Sequence, residues 1–138
     1  ARPTMRAWIS VSCRDGRHSS AGDAITDCAR LLDGEPQVVA MGVNCVAPEL
    51  VASLAAAFAS VSSKPMLAYP NSGEVWNAET RRWGGTASRF THYVPEWLAG
   101  GVSWIGGCCR TTPHDIGQVR AAAAAFAQCG RTAAPDEM

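Results

Sequence analysis

The stretch Val38–Tyr69, VVAMGVNCVAPELVASLAAAFASVSSKPMLAY, decides the fold class. It opens with an apolar run, Val38–Val43, that is rich in β-branched residues and closed by Gly, Asn and Cys. Short runs of this kind, apolar on both faces, are buried strands of a parallel sheet. Pro48 then sits at a first helical turn, where its missing N–H costs nothing. Leu50, Leu54, Ala57, Phe58 and Val61 fall on one face at helical spacing, predicting a helix over Pro48–Val61. A second apolar run follows at Met66–Tyr69. Strand, helix, strand within about 30 residues is one βαβ unit.

Working outward, the unit recurs. Ala7–Val11 and Ser103–Ile105 read as strands. Asp23–Leu32 carries Ile25, Cys28, Ala29 and Leu32 on one helical face, with Asp23 as N-cap and Gly34 as C-cap. Ala87–Ala99 reads as a helix that Pro95 disturbs or restarts. Pro113–Cys129 reads as an Ala-rich helix with Ile116, Val119, Ala123 and Phe126 on one face and Thr112 as its cap. The order β-α-β-α-β-α-β-α predicts an α/β fold with a parallel sheet covered by helices. Trp76–Ser88 is a longer polar connection. Residues 1–130 form one domain, and Arg131–Met138 a flexible tail.

Four parallel strands leave two architectures open. One is an open doubly wound sheet, which would call for a Gly-rich phosphate loop after the first strand; Cys13-Arg14-Asp15-Gly16 is not one. The other is half of an eight-stranded barrel.

Composition narrows the class. Of 138 residues, 47% are apolar and 17% charged, which suits a packed core rather than disorder. Formal net charge is zero, so no electrostatic footprint points to nucleic acid or a membrane surface. No apolar run approaches the roughly 20 residues of a membrane span. The first residues lack the apolar core of a signal peptide. The chain does not begin with Met, as expected of a trimmed chain or one cut from something longer. Six cysteines in an Ala-rich, core-competent chain read as reduced thiols in a cytoplasmic protein.

Chemistry concentrates at two strand ends. Gly42-Val43-Asn44-Cys45 closes the second strand, and Gly106-Gly107-Cys108-Cys109-Arg110 follows the fourth. In a barrel, functional groups sit just past the C-terminal ends of strands. Cys45, Cys108 and Cys109 are therefore candidate metal ligands: three protein ligands with one position open is the pattern of a catalytic zinc site. Neighbouring residues on a regular strand point to opposite faces, so Cys108 and Cys109 converge only if the chain turns, which Gly106 and Gly107 are expected to allow. Cys28 and Cys129 read as small buried hydrophobes, and Cys13 as structural. His18, His92 and His114 read as surface or capping residues. The five tryptophans read as core. Tyr69–Glu74 reads as a turn, or as a loop contacting substrate.

These motifs resemble a known family. GVNC at Gly42–Cys45, YPNSGE at Tyr69–Glu74 and GGCCRTTP at Gly106–Pro113 look like the C-terminal half of homocysteine S-methyltransferases, closest to the branch that uses S-methylmethionine. AWISVSCRDG at Ala7–Gly16 looks like that family's fifth strand and loop. The resemblance covers about Ala7 to Ala127. It implies a (β/α)8 barrel of which only the last four units, strands five to eight, are present. It implies one Zn²⁺ held by Cys45, Cys108 and Cys109, and methyl transfer from S-methylmethionine or S-adenosylmethionine to homocysteine, giving methionine. Asn44, Asn71 and Glu74 are candidate substrate contacts, Glu74 or Asp15 near the donor's positive charge. An N-terminal half or a second chain is expected to complete the barrel. Two other readings stand beside this one: a non-catalytic zinc-binding remnant, and a redox protein using the vicinal pair Cys108–Cys109.

Overall fold

The computed structural model describes residues 5–88 and 90–132. Four strands, β1 (Ala7–Val11), β2 (Val38–Asn44), β3 (Met66–Tyr69) and β6 (Val102–Ile105), form one all-parallel sheet in the order β1-β2-β3-β6. Each strand lies beside its predecessor in this sheet, so the chain winds one way and does not double back. The doubly wound alternative is excluded.

Helices α1 (Ile25–Asp33), α2 (Val51–Ala59), α3 (Val94–Ala99) and α4 (Pro113–Thr132) pack on one side of this sheet. Register explains the two faces. Met41, Val43, Met66 and Ala68 point to the helices and join Ile25, Leu54, Phe58, Trp97 and Val119 in the core. Each large side chain buried there stabilises the fold by about 1.5–3 kcal/mol. Trp8, Ser10, Gly42, Leu67, Tyr69 and Trp104 alternate with them and face the other way. That second face is concave. Trp8 and Trp104 come from opposite edges of the sheet, three strand spacings or about 14 Å apart if flat. Their ring centroids are nevertheless 6.2 Å apart. The sheet curls, and both indoles lean across the hollow.

Gly42 lies in the floor of that hollow. A Cβ there would sit 1.7 Å from the Leu67 carbonyl oxygen. No other residue fits this close approach of β2 to β3.

Several expectations change. The tryptophans are not mainly core: Trp97 is fully buried, but Trp8 is 59% and Trp104 47% exposed. Helices cover only the convex face, so indoles on the concave one stay open. The predicted Asp23 cap is replaced by Ala24, with no side-chain cap bond, while Asp23 accepts a hydrogen bond from Ser19. The expected Pro48–Val61 helix is a 3-10 turn at Pro48–Leu50 followed by α2. The predicted Ala87–Ala99 helix is a short 3-10 turn, Phe90–Tyr93, and then α3, with Pro95 in its first turn where proline is tolerated. Within Trp76–Ser88 runs a hairpin absent from the sequence reading, β4 (Val75–Asn77) against β5 (Arg82–Gly84). Thr112 and Asp115 cap α4 reciprocally, as expected of Thr112. Arg131 and Thr132 close α4, so the expected tail otherwise lies outside the described residues. Among the described residues no helix is long and apolar enough to cross a membrane.

Candidate metal centre

Three loops at the C-terminal end of the parallel sheet build the site. Cys45 is the first residue past β2 and takes φ +51, a left-handed conformation uncommon outside glycine. Its N–H donates to the Tyr69 carbonyl, which keeps the end of β2 tied to β3 through that turn. Cys108 and Cys109 follow β6. The Cys108 N–H donates to the Pro70 carbonyl, and the Ser72 N–H to the Cys109 carbonyl. The loop after β3, Pro70–Glu74, is thus the bracket that holds both thiol-bearing loops.

The vicinal pair does turn, but not at the glycines. Neither Gly106 nor Gly107 has a positive φ; Arg110 does, at +66. Gly107 instead supplies space, since a Cβ there would lie 2.3 Å from the Thr111 hydroxyl oxygen. Thr111 needs that position because its hydroxyl donates to the Cys108 carbonyl at 2.8 Å.

The three sulfurs all lie within 4.8 Å of one another. Cys109 Sγ is 3.8 Å from Cys45 Sγ and 3.9 Å from Cys108 Sγ. Two thiolates on a tetrahedral zinc, with Zn–S near 2.3 Å, stand about 3.8 Å apart. Both distances fit that spacing. The third pair is joined: Cys45 and Cys108 form a disulfide. The expectation of six reduced thiols is therefore corrected for this pair. Thiolates are the ligating form, so disulfide and metal are alternative uses of the same sulfurs. No His, Asp or Glu joins the cluster among the described residues, leaving a fourth position for a ligand from elsewhere.

Asn71 uses both ends of its amide inside the protein: Nδ2 donates to the Cys45 carbonyl and Oδ1 accepts from the Gly73 N–H. Glu74 receives two bonds from Arg110, at 3.0 and 3.1 Å, and one from the Ser72 hydroxyl. The Arg110 guanidinium, with Ser72 behind it, holds the Glu74 carboxyl below the ordinary range. Asn71 and Glu74 border a cavity of about 590 Å³ that reaches Cys45 and Cys109. Asn44, half-buried at the end of β2, is not among its lining residues. Asp15 is elsewhere, with its carboxylate engaged by the Arg17 and His18 N–H groups. His18 pairs with Asp15 and His114 with Gln118, and neither joins the thiol cluster.

The remaining cysteines divide. Cys13 and Cys28 pack against the core. Burial, then the neighbouring Cys28, pushes the Cys13 thiol up to about 11. Cys129 is exposed rather than buried, because it lies in the last turns of α4, where residues 124–129 are all exposed. Sequence reading missed Ser72, Glu49, Trp76, Trp83 and Arg110. Of these, Arg110 carried a signal, standing directly beside the vicinal cysteines.

Comparison with known proteins gives this arrangement a context. Residues 1–123 match the family model described as homocysteine S-methyltransferase. The chain belongs to the homocysteine S-methyltransferase family. It is 42% identical over 124 residues to the homocysteine S-methyltransferase of Escherichia coli K12, covering 88% of this chain and 40% of that protein. It is 42% identical over 113 residues to the selenocysteine Se-methyltransferase of Brassica oleracea, covering 79% of this chain and 33% of that one. The metallated form of the Escherichia coli homocysteine methyltransferase MmuM superposes with a TM-score of 0.70 at 39% identity, over 84% of this chain and 35% of that chain. Its oxidized form superposes equally well, at 40% identity. The chain thus spans two fifths or less of these relatives' length.

Proposed function

We propose that this chain is the zinc-binding half of a homocysteine S-methyltransferase, comprising the last four β/α units of a (β/α)8 barrel. The observation that carries the reading is the convergence of Cys45, Cys108 and Cys109 at the C-terminal end of a singly wound parallel sheet, with a fourth position open. The similar Escherichia coli enzyme has been solved both metallated and oxidized. That supports taking the Cys45–Cys108 disulfide as the metal-free state of the same three thiols.

Zinc, when bound, supplies Lewis acidity that lowers the pKa of an acceptor thiol to allow its thiolate at neutral pH. The protein's own residues do the rest. Three thiolates give an electron-rich set. Asn71, through its two backbone contacts, and the Glu74–Arg110 pair keep the two thiol loops in register. The acceptor thiolate of homocysteine attacks the methyl of a sulfonium donor, S-methylmethionine or S-adenosylmethionine. The donor leaves as a neutral thioether, so no general acid is required. Asn44, Asn71 and Glu74 remain the candidate substrate contacts, and the compartment proposed is the cytoplasm. The open concave face is consistent with a requirement for four further β/α units, from an N-terminal half or a second chain.

The test is to mix the reduced, zinc-loaded chain with a chain supplying those four preceding units and measure methionine formation. Activity is expected from the mixture. Zinc bound and both halves folded without methionine would favour the non-catalytic zinc-binding remnant. The disulfide itself favours one second reading, a redox protein, now pairing Cys45 with Cys108 rather than Cys108 with Cys109. A reversible two-electron titration that zinc does not suppress would support it.

A further inference from the structure

The cavity beside the thiols has a second wall that the sequence reading did not contain. Hairpin β4–β5 places Trp76 directly opposite Trp83, with ring centroids 5.4 Å apart and planes inclined by 53°. Both indoles line the cavity, as do Cys45 and Cys109. The hairpin is fixed in place at its base. The Ser88 N–H and hydroxyl both donate to the Ser72 carbonyl, and Gly73, at φ +88, leaves the room for Ser88 that a Cβ would take. The same Ser72 contacts the Cys109 carbonyl, so one residue registers the aromatic wall against the thiols.

Two carboxylates border this space. Glu74 is already neutralised by Arg110. The carboxylate of Glu49, in the 3-10 turn after Cys45, has no ion pair or hydrogen bond among the described residues. An open cavity lined by two indole rings, with one uncompensated carboxylate and mostly apolar walls, suits a weakly hydrated cation bearing methyl groups. It gives no comparable advantage to a neutral thioether.

We propose that Trp76, Trp83 and Glu49 form the subsite for the sulfonium methyl donor. The inference rests on the methyltransferase reading, and adds to it which residues select the charged donor. It also accounts for turnover. As the acceptor S–CH3 bond forms, the donor S–CH3 bond breaks and its electron pair stays on the donor sulfur. The product is an uncharged thioether, which loses its attraction to the indoles and to Glu49 and departs.

The test is calorimetric titration of the reduced, zinc-loaded chain with S-methylmethionine, S-adenosylmethionine and methionine. At least about tenfold tighter binding of a sulfonium than of methionine is expected, and the two sulfonium compounds compared with each other identify the donor. Trp76→Leu and Glu49→Gln should each reduce that preference severalfold, with far-UV circular dichroism and zinc content unchanged. Trp104→Leu, on the concave face away from this cavity, should leave it intact. Equal affinity for methionine and the sulfonium compounds, or folded Trp76→Leu and Glu49→Gln variants that bind like the parent chain, would overturn the proposal. Zinc retained without sulfonium preference sinks the subsite alone. A chain that binds no zinc yet keeps the preference sinks the methyltransferase reading and leaves the subsite standing.

Discussion

Cysteine is used in two opposite ways in this chain. Cys13 and Cys28 sit beside α1, packed on the core, with thiols that burial keeps protonated. Cys45, Cys108 and Cys109 stand on loops past the strands, aimed at one another and partly open to solvent. Residue type does not separate them. Placement does: a thiol against apolar side chains is a small hydrophobe, whereas thiols brought together by backbone turns become a ligand set. Backbone hydrogen bonds from the Pro70–Glu74 loop do that work, and left-handed turns at Cys45 and Arg110 aim the result.

Removing one thiol from each group tests the contrast most strongly. Cys108→Ser should reduce zinc from near one per chain to almost none when purified under reducing conditions. Cys28→Ser should leave zinc stoichiometry unchanged and cost only stability. Atomic absorption on the two proteins decides it. Zinc retained by Cys108→Ser would mean that the cluster is not the metal site.

A next, smaller effect comes from the space around the thiols. Gly107→Ala places a Cβ against Thr111 and must shift the Cys108 loop. Overpacking of this kind costs about 1–3 kcal/mol, so zinc affinity should fall about ten- to a hundredfold in a chelator competition. Alkylation of Cys13 and Cys28 should not change, because nothing near them moves. Parent-like zinc affinity would show that the loop relaxes freely.

Smaller again is the strap between loops. Arg110→Ala removes both bonds to Glu74 and leaves that carboxylate beside the thiols. Weaker zinc binding, about three- to tenfold, is expected from a partly exposed ion pair close to the ligands. Arg110→Lys should recover only part of it, since an ammonium cannot reproduce the two-pronged contact. A full recovery would reduce the strap to a simple charge effect.

How much of this was legible beforehand follows from the same contrast. Met66–Tyr69 stands where expected, because buried parallel strands announce themselves as continuous apolar runs; Ala7–Val11 does too, although as an edge strand it is largely exposed. The thiol trio was legible because it sits at matching strand ends. The β4–β5 hairpin was not: its strands have three residues each, too short for an alternating pattern to stand out from a polar loop. Nor was the exposure of Trp8 and Trp104, which depends on helices covering only one face of the sheet. Gly106 and Gly107 read as a turn made easy by glycine, whereas Gly107 provides room for Thr111. Sequence shows that a glycine is present, not whether its φ or its missing Cβ matters.

The smallest expected effect lies in the pair packed on the core, and its sign is fixed. Cys13 ionises near 11 in the folded chain against an ordinary 9.0. Below pH 9 both states keep the proton, and the thiol's contribution is fully present. Between pH 9 and about 11 the unfolded chain releases a proton that the folded chain retains, so stability falls as pH rises. Because Cys13 is only half-buried, the loss should be less than about 1 kcal/mol. Urea midpoints of the reduced chain at pH 8 and pH 10 measure it: the drop should be larger in the parent than in Cys13→Ala. Equal drops would mean that Cys13 titrates like a solvent thiol, and the line drawn between the two groups of cysteines would then rest on position alone.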